Sequence, residues 1–498
     1  MAFLTLSLLP YGIGLGSDSA HYLSIAENLQ QGHGFATSIL PWNAHAQQVP
    51  VAVWPPLYPL LLAALPIAPE TTAFLLHILL YGLNIFIVGW IVQRATRSRL
   101  AGLLAGASML VSPAILFDHS YAYSEPLFIF LSLCSLAAFE TFRRTRKASM
   151  FWLMALLASL AMLTRYIGVA LFATLALLML IDPTRPGKQR FLLITKFLGF
   201  AALLPLAWVA RNFWVTQSLA GDRVPSEYSL VDIAKYFFTT LGAWFIPEKL
   251  LDWTGLLAPA LVLAIGWMAI YLFLRQRKNT VPRDSHTNIY AVFLMIFGLL
   301  ICMIAYIIHF SHLNTRLLSP MYPALVIVVW QWAFSNRVPY QPKTIVEIVR
   351  QPAYLCLIIL MLVLPFFQSL HETAYRLFRI KGGGLQSVYW RHSDIAKAAR
   401  TITAKAATDL QLYSNEDEAL YLITHKPVHA IPWKDQDIDA LLAEPCHNGE
   451  KKYIVLLKIK PRPIVPVYEK RLQALPQWQL IGQYRDGKIY QWNATSGT

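Results

Sequence analysis

From Glu70 to Val92 the chain reads ETTAFLLHILLYGLNIFIVGWIV, then QRATRSR to Arg99, then LAGLLAGASMLVSPAILF from Leu100 to Phe117. Each apolar run is close to the roughly twenty residues a helix needs to cross bilayer hydrocarbon. Three arginines, Arg94, Arg97 and Arg99, fill the short turn between them. The same apolar pattern continues outward in both directions. Further runs lie at 2–16, 124–142, 148–164, 166–181, 191–213, 254–274, 288–308, 317–334 and 352–370. Together they predict an α-helical polytopic membrane protein of about eleven spans. The composition agrees: 56% of residues are hydrophobic and 14% charged, where soluble proteins carry about a quarter charged.

The net charge of +15 raises the question of nucleic acid, and its distribution answers it. The basic residues gather in alternate loops: Arg94 to Arg99, Arg143 to Lys147, Arg185 to Arg190, Arg275 to Arg283, and Arg337, Lys343 and Arg350. The loop from Ser17 to Pro69 contains no Lys or Arg, and neither does 118–121. This alternation is the positive-inside pattern, so the rich loops face the cytoplasm. It places 17–69, 118–123, 164–166, 214–253, 309–316 and everything beyond about 371 on the other side. A nucleic-acid binder would need its basic residues on one soluble face, and no nucleic-acid partner is expected. Cys134, Cys302 and Cys356 fall within predicted spans, and Cys446 stands apart in the tail, so no disulfide framework is expected. The 2–16 run has no basic region before it and no small-residue cleavage site after it. It is expected to insert as a short span, unless the true start lies upstream.

Two predicted external segments are too long to be plain connections. Segment 17–69 reads as an amphipathic helix from Ser19 to Gln31, a Gly32-His33-Gly34 turn, and a stretch ending Trp54-Pro-Pro-Leu-Tyr-Pro59. Segment 214–253 contains an amphipathic run around Tyr228 to Trp244, with the character of an interfacial helix. The domain reading is thus a membrane region over 1–371, a flexible joint at Lys381-Gly-Gly-Gly384, and a small external α/β domain over 381–498. In that domain, helix-like segments (393–405, 416–424, 435–443) alternate with strand-like ones (410–414, 427–431, 452–459, 478–491). Asp486-Gly487 reads as a hairpin turn.

Ionisable groups near hydrocarbon are costly and usually functional. The external face collects Asp18, His21, Asp118, His119, Glu125, Arg165, Arg211 and Arg316. Asp18, taken alone, also suits a helix cap for 19–31. Glu125 equally suits a dipole-stabilised helix start capped by Ser124. Arg165, Arg211 and Arg316 individually suit snorkelling to headgroup phosphates. Three arginines on one face opposite two carboxylates better suit an anionic lipid headgroup held by bidentate contacts. His21, His33, His45, His119, His309 and His312 show no paired ligand spacing with an acid nearby. No metal ligand is therefore assigned and no cofactor is expected, with a divalent ion kept as the minority alternative. No GxxxxGK[ST], GxGxxG after a strand, GxSxG or CxxC occurs.

At these residues the chain resembles the polyprenyl-phosphate-dependent glycosyltransferases of the C superfamily (GT-C). The resemblance is to the bacterial branch related to protein O-mannosyltransferases and aminoarabinose transferases. It rests on Asp18-Ser-Ala-His-Tyr22 running into Leu23 to Phe35, on Pro55-Pro-Leu-Tyr-Pro-Leu-Leu-Leu62, on Tyr123-Ser-Glu-Pro-Leu127, on Leu163-Thr-Arg-Tyr166 and on Thr315 to Pro323. These occur in the family's order as far as about residue 335. The resemblance implies a sugar donor on a polyprenyl phosphate that enters from the bilayer. It matches Asp18 to the catalytic carboxylate, Glu125 to a second acid, and Arg165 and Arg316 to basic positions. The substrate-binding set expected on this basis is His21, Tyr22, Tyr58, Asp118, Arg165, Arg211 and Arg316. Many relatives carry two adjacent acids where this chain has Asp18-Ser19, so neither a role for the acid that Ser19 replaces nor a metal carries over. The chemistry fits the residues independently: Asp18 is expected as the base that takes the acceptor proton, Glu125 as the second catalytic residue that orients the acceptor or assists, and Arg165 with Arg316 as the grip on the departing phosphate. Membrane lipids and a lipid, polysaccharide or protein acceptor are the expected partners. A lipid-linked sugar flippase and a scaffold with an external binding domain are the rival readings. A flippase would place charged or broken helices at mid-membrane.

Overall fold

The computed structural model describes residues 10–221, 223–245, 288–309, 313–334, 344–350, 352–405, 410–445, 451–460 and 462–493. The chain divides into two compact units, described below where these residues allow. One comprises Ala52–Tyr58 and Leu75–Ala374, the other Leu6–Val51, Pro59–Phe74 and Tyr375–Thr498.

The first unit is helical. Four helices lying wholly or largely in it are individually long and apolar enough to cross a bilayer: Pro69–Thr96, Glu125–Thr145, Ile289–Ile307 and Tyr354–Ile380. Two predicted spans are bent pairs, Arg99–Leu110 with Pro113–His119 at 60° and Gly187–Ala201 with Leu203–Thr216 at 45°. Proline explains both breaks, because it lacks the amide hydrogen a continuous helix would use. In the first, Ser112 recaps the chain before Pro113 by accepting from the Ile115 amide. In the second, Pro205 withholds the bond to the Ala201 carbonyl. Three more apolar helices, Ala148–Thr164, Tyr166–Leu180 and Met321–Ala333, are shorter. The described residues therefore contain four full-length spans, or six if each bent pair is one span, against the eleven expected. The predicted span 254–274 lies outside the described residues, as do residues 1–9 of the span 2–16. Residues 10–16 are not helical. Pro10, Gly12, Gly14 and Gly16 punctuate them, Gly12 sits at φ +78°, and Leu15 bridges to Gly384.

The helical unit is apolar outside and polar at chosen points inside. Phe86, Leu103, Phe191 and Leu299 are each at least two-thirds exposed, whereas His77, Asn84, Asp118 and Glu125 are fully buried. That inversion of the soluble pattern fits side chains facing lipid. The helices Pro69–Thr96 and Arg99–Leu110 approach through glycines. A Cβ on Gly102 would lie 2.8 Å from the Gly89 carbonyl oxygen and 2.8 Å from the Gln93 Cβ. Small residues allow this contact, which in lipid depends on packing alone. Gly102→Leu is expected to cost about 1–3 kcal/mol by overpacking. It should lower the thermal midpoint of the detergent-solubilised protein, and an unchanged midpoint would contradict the contact.

The second unit is built on a six-stranded sheet in the order β2-β5-β4-β6-β8-β7. Its strands are β2 (Ile39–Leu40), β4 (Leu410–Ser414), β5 (Val428–Ala430), β6 (Lys451–Leu457), β7 (Trp478–Tyr484) and β8 (Gly487–Trp492). The short pair β1 (Ala36–Thr37) and β3 (Val49–Pro50) stands apart. β2 comes from the segment before the first long helix, and it lies parallel to β5 with Ile39 opposite Val428. β7 and β8 form the expected hairpin across Asp486-Gly487. Predicted helices are found at Asp394–Lys405, Asp417–Thr424 and Asp435–Ala443, and an unforeseen one at Ile464–Ala474. The core joins Ile438, Leu441, Leu442, Ile454, Leu456, Tyr468, Leu472 and Trp478. The glycine run is no flexible joint. Lys381, Gly382 and Gly384 adopt positive φ, and the Leu15 amide donates to the Gly383 carbonyl at 3.1 Å. The Leu385 amide returns a bond to the Leu15 carbonyl at 2.7 Å, so these glycines serve a hydrogen-bonded turn.

On β5, His429 stacks on its β4 neighbour Tyr413 at 4.7 Å and its Nδ1 lies 3.3 Å from the Pro41 carbonyl oxygen. Burial pulls its pKa down to about 4. The folded state thus holds His429 neutral where the unfolded chain would protonate it. Its contribution to stability, on the order of 3 kcal/mol, is fully present above pH 6.5 and lost as pH falls through about 4. An imidazole NMR titration should find His429 uncharged at pH 5.5; a midpoint near 6.5 would refute this.

Candidate active site

Glu125 opens the helix Glu125–Thr145, with Ser124 at its N-cap and Pro126 following in the first turn. Arg165 ends the helix Ala148–Thr164 in an extended conformation, φ −151° and ψ 134°. Arg316 lies in the single turn Thr315–Leu318, capped by Asn314, whose Oδ1 accepts from the Leu317 amide at 3.1 Å. Three separate chain reversals thus deliver three charged side chains to one place. Arg165 Nη1 lies 2.6 Å and Arg316 Nε 2.5 Å from the same carboxylate oxygen, Glu125 Oε1. Arg165 Nη1 also donates to the Ser124 hydroxyl at 3.1 Å, so Ser124 serves the arginine rather than the helix end. The Arg316 guanidinium sits 3.9 Å from the centre of the Tyr123 ring, and Tyr123 stacks on Tyr121 at 5.2 Å. Charge-assisted bonds of this kind are about twice as strong as neutral ones.

Asp118 joins the cluster from the end of Pro113–His119, fully buried and within electrostatic reach of Glu125, Arg165 and Arg316. Among the described residues Glu125 Oε2 and both Asp118 oxygens accept no hydrogen bond. The Ser319 hydroxyl beside Asp118 donates instead to the Arg316 carbonyl at 2.9 Å. Buried carboxylate oxygens without donors are costly and are kept where function requires them.

Asp18 and His21 lie in the second unit, on the helix Ser17–Gln30. Gly16 is the N-cap and its amide donates to Ser19 Oγ at 3.0 Å, so Asp18 falls in the first turn and the cap alternative is set aside. Tyr22 is buried on the same helix. The Ser17 hydroxyl donates to Glu418 Oε1 at 2.5 Å, and His21 Nε2 lies 3.7 Å from that oxygen.

Residues 63–219 match the family model described as dolichyl-phosphate-mannose-protein mannosyltransferase. The matched stretch includes Asp118, Glu125, Arg165 and Arg211. Sequence comparison with curated proteins returns no match. In fold the chain is similar to ArnT from Cupriavidus metallidurans bound to undecaprenyl phosphate. That match has TM-score 0.60 and 14% identity, covering 99% of this chain and 96% of that one. The apo ArnT structure from the same organism gives TM-score 0.59. The oligosaccharyltransferase AglB from Archaeoglobus fulgidus, in complex with an inhibitory peptide and a dolichol-phosphate, gives TM-score 0.54 at 10% identity. There 91% of this chain and 68% of that one are covered. The chain thus shares the fold of these structures, and its residues 63–219 carry the likeness to the mannosyltransferase family. It is also an integral membrane protein.

The remaining expected residues fall into two further groups. Arg211 belongs with Tyr166: Arg211 Nη1 donates to Asn212 Oδ1 at 3.2 Å, and its guanidinium lies 5.0 Å from the Trp208 ring. Asn212 Nδ2 and Trp208 Nε1 both donate to the Tyr166 hydroxyl, at 3.3 and 3.2 Å. That hydroxyl donates to the Ala52 carbonyl at 2.7 Å. Tyr58, fully buried, donates to His77 Nε2 at 2.8 Å. His77 Nδ1 donates to the His119 carbonyl at 3.1 Å, and His119 Nδ1 to the Ile115 carbonyl at 2.7 Å. Both imidazoles are therefore Nδ1–H tautomers with accepting Nε2 atoms. Asn84 Nδ2 bridges His119 Nε2 and the Pro126 carbonyl, each at 3.1 Å, which anchors the helix start bearing Glu125. His77 and Asn84 escaped the sequence reading, although polar residues inside an apolar span are the signal for them. Among the described residues no group of three or more His, Cys, Asp and Glu side chains forms a metal-binding set.

Proposed function

We propose that this protein is a GT-C glycosyltransferase that moves a sugar from a polyprenyl-phosphate donor to an acceptor hydroxyl, or a similar nucleophile, on the extracytoplasmic face. The reading places the protein as a multi-pass component of the inner or plasma membrane, with its C-terminal domain outside. The observation that carries it is the pair of guanidiniums held on one oxygen of a buried carboxylate. Glu125 neutralises part of their charge and fixes their planes, so that an arriving phosphate meets cations already in place. The undecaprenyl and dolichol phosphates bound by the ArnT and AglB structures are ligands of this chemical class.

In the proposed step the acceptor oxygen attacks the sugar carbon from the face opposite the phosphate. The carbon–oxygen bond to phosphate breaks with its electron pair going to the phosphate, and the configuration inverts. Asp18 takes the acceptor proton, while Arg165 and Arg316 stabilise the charge on the leaving phosphate. The activated bond is already in the donor, so no soluble nucleotide and no cofactor enters the step.

A transfer assay with purified protein and labelled polyprenyl-phosphate sugars tests the reading. One polyprenyl phosphate should be released for each sugar transferred. Lipid movement across vesicles with no acceptor consumed would favour a flippase instead. Reporter fusions at 118, 220 and 400 should all report an external location.

A further inference from the structure

The C-terminal sheet places ionisable residues at a position the proposed reaction has not used. β5 and β6 lie parallel to β4 on opposite sides of it. The chain leaves β4 through the helix Asp417–Thr424, returns as β5 on one side, then crosses to β6 on the other. The winding therefore reverses between β4 and β6, and open parallel sheets set functional groups beyond the strand ends at such a point. Four polar residues, Asn415-Glu416-Asp417-Glu418, follow β4 there.

Two of the four have purely structural partners. Asn415 exchanges bonds with the Leu457 amide and carbonyl at 2.8 and 2.9 Å. Glu416 takes Arg462 Nε at 2.6 Å and Nη2 at 3.3 Å. Glu418 is different, because its partners Ser17 and His21 belong to the helix that carries Asp18. The other ring nitrogen of His21 faces Thr37 Oγ1 at 3.5 Å. Burial alone would raise the Glu418 pKa, but His21 and the Ser17 hydroxyl outweigh it and hold the carboxyl below its usual value. Its neighbour Asp417 is pushed up to about 6 by burial and by the Glu418 charge.

We propose that Glu418 is a positioning residue of the active site: through Ser17 and His21 it fixes the first turn of the helix bearing Asp18. This rests on the assignment of Asp18 above. The same two helices are joined further along by the Tyr421 hydroxyl on Glu27 and by His425 Nδ1 at 3.3 Å from Glu27 Oε1. Those links fasten the helices without touching the turn that holds Asp18, which supplies a control.

The test is steady-state kinetics of the full-length protein with a polyprenyl-phosphate sugar. Glu418→Ala should lower kcat about tenfold or more, with the donor KM held within about twofold, as expected for a misplaced group. Glu418→Gln keeps the shape and an acceptor for Ser17, and Glu418→Asp keeps the charge; both should recover part of the rate. Tyr421→Phe should stay within about twofold of wild type, and the His21→Ala, Glu418→Ala double variant should be no slower than the slower single. Wild-type kcat in Glu418→Ala and Glu418→Gln overturns the proposal, as do losses that multiply in the double variant or an equal loss in Tyr421→Phe. A wild-type protein that releases no polyprenyl phosphate overturns the transferase reading itself.

Discussion

Asp18→Asn is expected to remove sugar transfer almost entirely, lowering kcat by roughly 10²–10⁴-fold, the usual contribution of a positioned base. The amide keeps the size of the carboxylate and part of its hydrogen bonding but cannot take a proton. Asp18 lies in the first turn of its helix, whose N-cap position is taken by Gly16, and the isosteric amide keeps the side chain's shape there. Donor binding should therefore persist, measured as protection of the variant by polyprenyl phosphate in a thermal shift. Full activity at matched expression would remove Asp18 from the mechanism.

The second large effect is on stability. Glu125→Ala leaves two guanidiniums, less than one-fifth exposed, without the oxygen they share. Breaking a buried pair from one side typically costs about 3–5 kcal/mol, because the partner charge stays buried. Glu125→Gln should cost less, since its side-chain carbonyl still accepts from both arginines. The order Ala, then Gln, then wild type in rising midpoint of thermal unfolding is the expected result. Equal midpoints for Ala and wild type would show that the cluster contributes nothing to the fold. In the transfer assay both variants should raise the donor KM, since they loosen the cations assigned to its phosphate.

How far the sequence reaches depends on the range of the interaction. The helices at 69–96, 125–145 and 289–307 are legible because lipid demands long apolar runs of each segment by itself. The helix Leu230–Ala243 is legible because its amphipathic run starts at Ser229 and Asp232, which form a complete capping box. β2 is not, since two residues carry no period and its partner is distant in the chain. The helix Ile464–Ala474 is hidden behind the Lys- and Pro-rich stretch 458–463, which reads as loop. The long helix runs on to Ile380, past the expected end at 370, because Gln368, His371, Glu372 and Arg376 are polar yet good or tolerable helix formers. In the site, spacing and topology placed Glu125, Arg165 and Arg316 on one face. That the arginines share a single carboxylate oxygen is a matter of tertiary geometry, and so is the separation of Arg211 into the Tyr166 group. Glu418 was invisible because nothing in its own segment marks it; its meaning comes from Ser17 and His21.

The pairing of residues 39–40 with residues 428–429 sets an order of events at the ribosome. The first loop emerges early, but the strand it must join is made only after nearly all the membrane helices have been inserted. Until then the Asp18 helix lacks Glu418, Tyr421 and the sheet edge beside it. Chains interrupted before residue 410 should therefore carry a loop that is exposed to proteases and unable to act. On the role proposed for Asp18, transfer would then become possible only once the C-terminal strands have been made.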